Sequence, residues 1–166
     1  MMKENNNLLT LGYNLDIWNS LKLKIPITTE TLPTTNSHMI ISGMSGSGKT
    51  FAQQQIFAKL AKKGGLIYFA DFKGDDSYKY LQGCPRYYFY NKTINALYEV
   101  YAHFQSRVSG SSERYPISLI WDEYVANMLA LQGEDKKKAA EAMTKVAEIL
   151  QLGRSLGVRL IQSCQR

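Results

Sequence analysis

The feature that most constrains this chain is the stretch at residues 43–50, GMSGSGKT, which follows the apolar run at residues 39–41. It matches G-x-x-x-x-G-K-[ST] at every fixed position, and it lies between a predicted buried strand and a predicted helix, as that motif requires. The glycines let the backbone curl so that successive N–H groups face phosphate oxygens. The helix that follows adds its positive N-terminal end. The stretch therefore predicts a phosphate-binding loop.

This loop supplies the predicted nucleotide contacts. We expect Lys49 to reach the β- and γ-phosphates and the Thr50 hydroxyl to bind Mg²⁺. The implied cofactors are therefore ATP and Mg²⁺. The predicted nucleotide-binding residues are Gly43, Met44, Ser45, Gly46, Ser47, Gly48, Lys49, Thr50 and Phe51.

A second motif, ISLIWDE at residues 117–123, delivers two acids at the end of an apolar strand. In open parallel sheets ligands bind at this end of the strands. We expect Asp122 to hold the Mg²⁺ shell, and Glu123 to orient the water that attacks the γ-phosphate. A glutamate beside the Mg²⁺ aspartate is typical of motor and strand-exchange ATPases. In those proteins the polar tip of a neighbouring strand senses the γ-phosphate, and Gln165 is the candidate here.

The apolar segments alternate between strand-like and helix-like patterns. This alternation predicts an α/β fold with right-handed crossovers and a parallel sheet covered by helices on both faces. In the longest helix, the spacing predicts a buried face of Ala139, Met143, Val146 and Leu150. Residues 1–37 are expected to form an entry strand or hairpin and a loop, and residues 38–166 the nucleotide-binding core. The predicted strands are residues 39–42, 66–70, 117–121 and 158–161, and the predicted helices are residues 51–63, 93–108 and 135–152.

Composition narrows the class of protein further. The 166 residues are 45% hydrophobic and 20% charged, which is typical of a folded domain. No apolar run approaches the roughly 20 residues that cross a bilayer, and the polar N-terminus has no signal-peptide core. We therefore expect a cytoplasmic protein. The net charge of +6 permits binding to nucleic acid, and the two cysteines, Cys84 and Cys164, are expected to be reduced thiols.

Three features leave alternatives open. The DFKG stretch at residues 71–74 is either a turn with a charge pair or part of the nucleotide-binding edge. Arg154 and Arg159 are expected to be solvated, although contacts with phosphate or with a neighbouring chain are alternatives. The aromatic run at residues 87–90 is better explained by a half-buried strand than by stacking on bases.

Several of these segments resemble the motor domain of FtsK/SpoIIIE-type DNA translocases. The run HMIISG at residues 38–43, which leads into the loop, resembles the segment that opens that domain. DFKG resembles its D-P-K-G element, and IWDE at residues 120–123 resembles its acidic strand end. The tail GRSLGVRLIQSCQR, residues 153–166, is similar to R-x-x-G-[IV]-x-[LV]-[LI]-x-[AS]-[TC]-Q-R. Leu11-Gly12 is similar to the family's entry segment.

The resemblance implies a P-loop NTPase with a RecA-like core of the HerA/FtsK branch. Its expected strand order is 5-1-4-3-2, and by this resemblance we expect the fifth strand, beside the phosphate-binding strand, to be missing from this sequence. Members of this family form rings, usually hexamers, and pump double-stranded DNA. The compact form resembles coupling proteins of conjugative elements, which implies membrane-anchored or relaxase partners.

Three functional hypotheses remain at this point. The first is the motor core of a double-stranded DNA translocase that acts in conjugative transfer or in chromosome or plasmid partitioning. The second is a nucleotide-binding module without turnover. The third is a phosphotransferase for a small acceptor, which would need an arginine-rich lid that the sequence does not show.

Overall fold

The structure, a computed structural model, describes residues 8–30 and 38–165. The predicted loop at residues 31–37 and the final arginine of the tail motif lie outside this part. The strands are β1 Leu8–Tyr13, β2 Pro26–Glu30, β3 Met39–Gly43, β4 Leu66–Asp71, β5 Tyr87–Phe89, β6 Ile117–Asp122 and β7 Val158–Gln165. The α-helices are α1 Leu15–Leu21, α2 Lys49–Lys63, α3 Thr93–Val108, α4 Tyr124–Glu134 and α5 Lys136–Leu152.

Five parallel strands form the main sheet in the order β3-β7-β6-β4-β5. The predicted α/β class and the predicted order of the four strands β3, β7, β6 and β4 are confirmed. The short aromatic strand β5 extends the sheet at one edge, as a half-buried strand would. The phosphate-binding strand β3 lies at the other edge, and no strand within the described residues pairs with its outer side. Met39 and Ile41 of β3 pack on the apolar cluster that contains α2 residues, and Ile40, which points to the opposite face of the sheet, is 71% exposed.

Helices cover both faces of the sheet, as a parallel sheet requires. On β6, Leu119 and Trp121 belong to the apolar cluster formed with α3 and α5. Ile120, between them, faces the opposite way and joins the cluster formed with α2. All six residues of β6 are buried, so the strand that ends at Asp122 is also the centre of the core.

The longest helix, α5, buries a face rotated from the predicted one. Its buried residues are Ala139, Ala142, Val146 and Ile149. Met143 and Leu150 are 41% and 43% exposed, so the prediction was wrong for these two residues. The helix carries a broad apolar stripe, and the small alanine side chains allow close approach to α3, which the spacing of large apolar residues does not reveal.

Two helices were not predicted from the sequence. α4 begins directly after the acidic pair, and the side chain of Asp135 caps α5 by accepting a hydrogen bond from the backbone N–H of Lys138. α1 lies inside the N-terminal hairpin, whose strands β1 and β2 pair antiparallel. Leu9 of this hairpin is 1% exposed and packs into the α2 cluster, and Lys59 Nζ donates to the Thr10 carbonyl at 2.5 Å.

No helix in the described ranges is long and apolar enough to span a membrane.

Candidate nucleotide-binding site

The loop between β3 and α2 has the backbone that its sequence predicts. Gly46 and Gly48 have φ angles of 75° and 87°, which non-glycine residues rarely adopt. A Cβ at Gly43 would lie 2.6 Å from Ser47 Oγ, so a side chain at this position would require the Ser47 hydroxyl to move. The Nζ atom of Lys49 donates hydrogen bonds to the carbonyls of Gly43 and Met44, each at 2.9 Å. The ammonium group therefore lies at the mouth of the curled loop.

The acidic pair lies at the carboxyl end of β6, where Ser163 of β7 holds both residues. Ser163 Oγ donates to Asp122 Oδ1 at 2.7 Å and accepts from the backbone N–H of Glu123 at 3.0 Å. Glu123 has φ 52° and ψ 46°, a left-handed conformation that costs about 1–2 kcal/mol in a non-glycine residue. The hydroxyl of Ser163 thus fixes a strained turn that separates the directions of the two carboxylates.

Burial determines the electrostatics of Asp122. Desolvation raises the pKa of its carboxyl to about 6, the hydrogen bond from Ser163 opposes that rise, and the nearby charges of Glu123, Asp71 and Asp75 add to it. A buried carboxylate among other acids is stabilised by a cation. Asp122 and Thr50 line the same cavity, and their carboxylate and hydroxyl oxygens are the ligand type that Mg²⁺ prefers. The residues present therefore fit a magnesium ion.

The side chain of Glu123 contacts the predicted sensor. Gln165 Nε2 donates to Glu123 Oε1 at 2.9 Å, across the gap between β7 and β6. Glu123 is only 9% exposed, whereas Gln165 is exposed at the end of its strand. This contact directs one oxygen of the carboxylate toward the tip of β7.

A cavity of about 380 Å³ brings most of the predicted residues together. Met44 is 72% exposed and lies, with Gly43 and Ser47, in the loop but outside the cavity lining. The roles of these residues stay predictions, but their proximity is a property of the fold. The predicted residues that line the cavity are Ser45, Gly46, Gly48, Lys49, Thr50, Phe51, Asp122, Glu123 and Gln165.

Sequence reasoning missed three polar residues of this cavity, Gln54, Asp75 and Ser77. Gln54 Nε2 donates to the Ser77 carbonyl at 2.8 Å, and Asp75 Oδ1 accepts from the Ser77 N–H at 2.8 Å. The hydrogen bonds from Ser77 lower the pKa of Asp75. Their positions follow from the parallel sheet, since the segment after β4 must lie at the same edge as the loop after β3.

The DFKG stretch forms a turn, which hydrogen bonds to Asp71 hold, and it also contributes a residue to the cavity. Asp71 is fully buried and accepts hydrogen bonds from the Gly74 N–H and the Tyr87 hydroxyl, both at 2.7 Å. Its carboxylate therefore holds a turn. Lys73, two residues later, lines the nucleotide cavity.

The two arginines near the end of the chain differ in environment. Arg154 is exposed, as expected, but Arg159 is 1% exposed, so the expectation of a solvated side chain was wrong for it. Arg159 lies on β7, a central strand of the sheet, and burial lowers its pKa to about 10. A charged residue on a central strand is enclosed by the helices that cover the sheet, and its charge alone does not predict this.

Comparisons with known proteins agree with this fold. A family model described as "Helicase HerA-like C-terminal" matches residues 22–99, which include the phosphate-binding loop. A comparison with curated protein sequences gave no match.

Solved structures share the fold at low sequence identity. The pCW3 conjugation coupling protein TcpA, in its monomer form with ATPγS, has a TM-score of 0.72 and 20% identity over 99% of this chain and 49% of its own. The cytoplasmic domain of the Type VII secretion ATPase EccC of Thermomonospora curvata has a TM-score of 0.63 and 19% identity, over 98% and 22%. The cytoplasmic domain of EssC has a TM-score of 0.64 and 16% identity, over 96% and 32%.

The chain spans about half the length of the TcpA chain and less of the other two. The family match covers the loop, and the shared fold covers nearly the whole chain. The chain therefore shares the fold of these proteins, and residues 22–99 are similar to the HerA-like family.

Proposed function

We propose that this domain binds ATP with Mg²⁺ and hydrolyses it as the motor core of a double-stranded DNA translocase. One observation carries the hydrolytic part: the carboxylate of Glu123 accepts a hydrogen bond from Gln165 at the rim of the cavity that Lys49 and Thr50 also line. A carboxylate positioned beside a phosphate-binding loop suits activation of water.

Each residue has a distinct proposed task. The Nζ atom of Lys49, which contacts two loop carbonyls, would turn to the β- and γ-phosphates, while the loop amides bind the phosphate oxygens. Thr50 and Asp122 would hold Mg²⁺, which when bound neutralises charge on those oxygens. Glu123 would orient and deprotonate the attacking water, and Gln165 would fix the carboxylate of Glu123 and sense whether the γ-phosphate is present.

The proposal that the domain acts on DNA is supported by its similarity to known proteins and by its net charge. TcpA, which shares the fold, is described as a conjugation coupling protein, and the family model is named for a helicase. The net charge of +6 suits a polyanionic partner, and contacts mainly to phosphates would make binding weaken steeply with salt. We propose a homo-oligomeric ring, with a hexamer as the expected form, that acts in the cytoplasm with membrane-anchored or relaxase partners in conjugation or partitioning.

A nucleotide-binding module without turnover is the main alternative, and phosphotransfer to a small acceptor is a weaker one. The position of Glu123 favours hydrolysis, in which water accepts the phosphoryl group, over both alternatives. Phosphate release from ATP, measured with and without linear duplex DNA, separates them. We expect the parent to release phosphate and duplex DNA to stimulate that release. We expect Lys49→Ala to release no phosphate.

Two results would contradict the proposal. The first is release that duplex DNA leaves unchanged, together with no duplex binding at low ionic strength, which would refute translocation. The second is no release above the Lys49→Ala background under any condition, which would favour the module without turnover.

A further inference from the structure

Three aromatic side chains form a partly exposed group beside the nucleotide cavity, which we call the aromatic platform: Phe72, Phe89 and Tyr90. The rings of Phe72 and Tyr90 are stacked, with centroids 5.7 Å apart and planes 8° apart. The rings of Phe89 and Tyr90 lie 6.0 Å apart. Phe89 is 50% exposed and Tyr90 is 53% exposed, although rings of this size usually bury more of their surface.

The backbone around the platform is specialised to present these rings. Gly74 has φ 72°, and a Cβ there would lie 2.4 Å from Phe89 Cε2, so the ring of Phe89 lies directly over this glycine. Tyr90 has φ 51°, a left-handed conformation that is uncommon for an aromatic residue. The hydroxyl of Thr93 donates to the Tyr90 carbonyl at 2.7 Å and holds that turn. Strained backbone that is held in place by its surroundings is a reason to look for a function.

The aromatic run at residues 87–90 divides into two environments. Tyr87 and Tyr88 are half-buried in β5, and the Tyr87 hydroxyl donates to Asp71. Phe89 and Tyr90, at the carboxyl end of the strand, are exposed on the edge of the sheet that also carries the nucleotide cavity. The half-buried strand predicted from the sequence thus accounts for two of the four rings and leaves two for another purpose.

A polar cavity of about 280 Å³ lies next to the platform, lined by Phe72, Tyr90, Asn91, Asn127 and Lys138 among others. Asn127 Oδ1 accepts a hydrogen bond from Trp121 Nε1 at 2.9 Å, which fixes the orientation of the amide. The amide N–H donors of Asn127 are therefore available to a molecule in the cavity. Carbonyl oxygens of bases are acceptors of the kind that such donors bind.

We propose that the platform and this cavity bind an unpaired base of single-stranded DNA. A base would stack on the open face of Tyr90 or Phe89, and its edge would accept a hydrogen bond from Asn127. Exposed Lys73 and Lys92, which flank the platform in sequence, would attract the backbone phosphates. Paired bases in a duplex have no free face to offer such a platform. This proposal rests on the proposed function, which makes DNA the partner of the domain, and it adds that the platform binds DNA in its single-stranded form.

Fluorescence anisotropy with a labelled oligo(dT) of about 12 nucleotides tests the proposal, because a site of this kind spans roughly 4–16 nucleotides. We expect Phe89→Leu and Tyr90→Leu, which keep apolar bulk but remove the ring, each to weaken binding roughly 5- to 100-fold. Phe89→Trp should retain binding. Tyr13→Leu is the matched control, because Tyr13 is 55% exposed on the N-terminal hairpin, away from the platform.

A second measurement reports stacking directly. An oligonucleotide that carries one 2-aminopurine should lose fluorescence on binding the parent, and it should lose much less on binding either leucine variant. The inference would be overturned if the parent and both leucine variants bound oligo(dT) with equal affinity. It would also be overturned if Tyr13→Leu lost as much affinity as the two platform variants. Phosphate release that duplex DNA still stimulates in the leucine variants would, in that event, leave the proposed function standing.

Discussion

Gln165 donates a hydrogen bond from Nε2 to Oε1 of Glu123 at 2.9 Å, and this contact links the exposed tip of β7 to the carboxylate at the end of β6. Ser163, two residues earlier on β7, donates to Asp122 and accepts from the Glu123 N–H. One strand therefore holds both acidic residues of its neighbour. A shift of β7 relative to β6 would change the direction of the Glu123 carboxylate, which ties the geometry of the site to the position of the sheet edge.

Replacing Glu123 by glutamine removes the carboxylate but keeps the size of the side chain. We expect Glu123→Gln to bind Mg²⁺ and ATP as the parent does and to hydrolyse ATP about a hundred-fold more slowly or worse, because the attacking water loses its base. Single-turnover phosphate release, with nucleotide affinity measured in parallel, checks this. Glu113→Gln, at an exposed loop glutamate, is the control, and hydrolysis by Glu123→Gln at the parent rate would refute the role.

Removing the amide at residue 165 tests positioning rather than chemistry. In Gln165→Ala the carboxylate of Glu123 loses the donor that orients it, so we expect kcat to fall roughly ten- to a hundred-fold while KM changes little. The exposed Gln151 of α5 offers a matched control in Gln151→Ala. A rise in KM at constant kcat would instead mean that Gln165 serves only to bind nucleotide.

Much of the site could be predicted because its residues lie at the ends of apolar strands. The continuous runs of β3, β4, β6 and β7 predicted a parallel sheet, and the carboxyl ends of such strands meet at one edge. Lys49 and Glu123, which follow two of these strands, are therefore expected at the same edge of the sheet. β6 pairs with β7 so that Gln162 lies opposite Trp121. The next residues, Asp122 and Ser163, are then neighbours, and the predicted order of the strands could have indicated this contact.

The remaining features depend on packing, which a single sequence does not specify. α4 follows the acidic pair without a strong amphipathic pattern, and Val125 and Leu129 on it are exposed. The face of α5 was misassigned because alanines and larger apolar residues share its surface. Arg159 is buried because β7 lies between two other strands of the sheet. Its charge, taken alone, predicts an exposed side chain.

Gly74 is predicted to be intolerant of any side chain. Gly74→Ala should lower the free energy of unfolding by about 1–3 kcal/mol, because alanine at φ 72° is strained and its Cβ would lie 2.4 Å from the ring of Phe89. Urea unfolding measures the change. Gly133→Ala is the control, since nothing lies within 4 Å of its Cβ position in helix α4 and alanine should stabilise that helix by about 0.5–1 kcal/mol. Equal stability of Gly74→Ala and the parent would contradict the packing described here.

His38 should make stability depend on pH. Burial, and then the charge of Arg159, lower the pKa of His38 below its ordinary value of 6.5, and its Nδ1 accepts from the Leu160 N–H. The unfolded chain therefore binds a proton more readily than the folded one, so the stability that neutral His38 contributes is present above about pH 6.5 and is lost as pH falls below it.

Thermal unfolding at pH 7.5 and pH 5, values that lie on either side of the ordinary histidine range, measures this effect. We expect the Tm of His38→Asn to fall less between the two than that of the parent. His103→Asn, which removes the other imidazole, should follow the parent. An identical fall in all three proteins would show that His38 has no part in it.

The central claim is that the loop between β3 and α2 binds the triphosphate of a nucleotide, and calorimetric titration with Mg²⁺ and ATPγS tests it most directly. The parent should bind, Lys49→Ala should show no detectable binding, and Lys63→Ala, at the exposed end of the same helix, should bind like the parent. Folded parent protein that takes up no nucleotide, or Lys49→Ala that binds as tightly as the parent, would contradict the account.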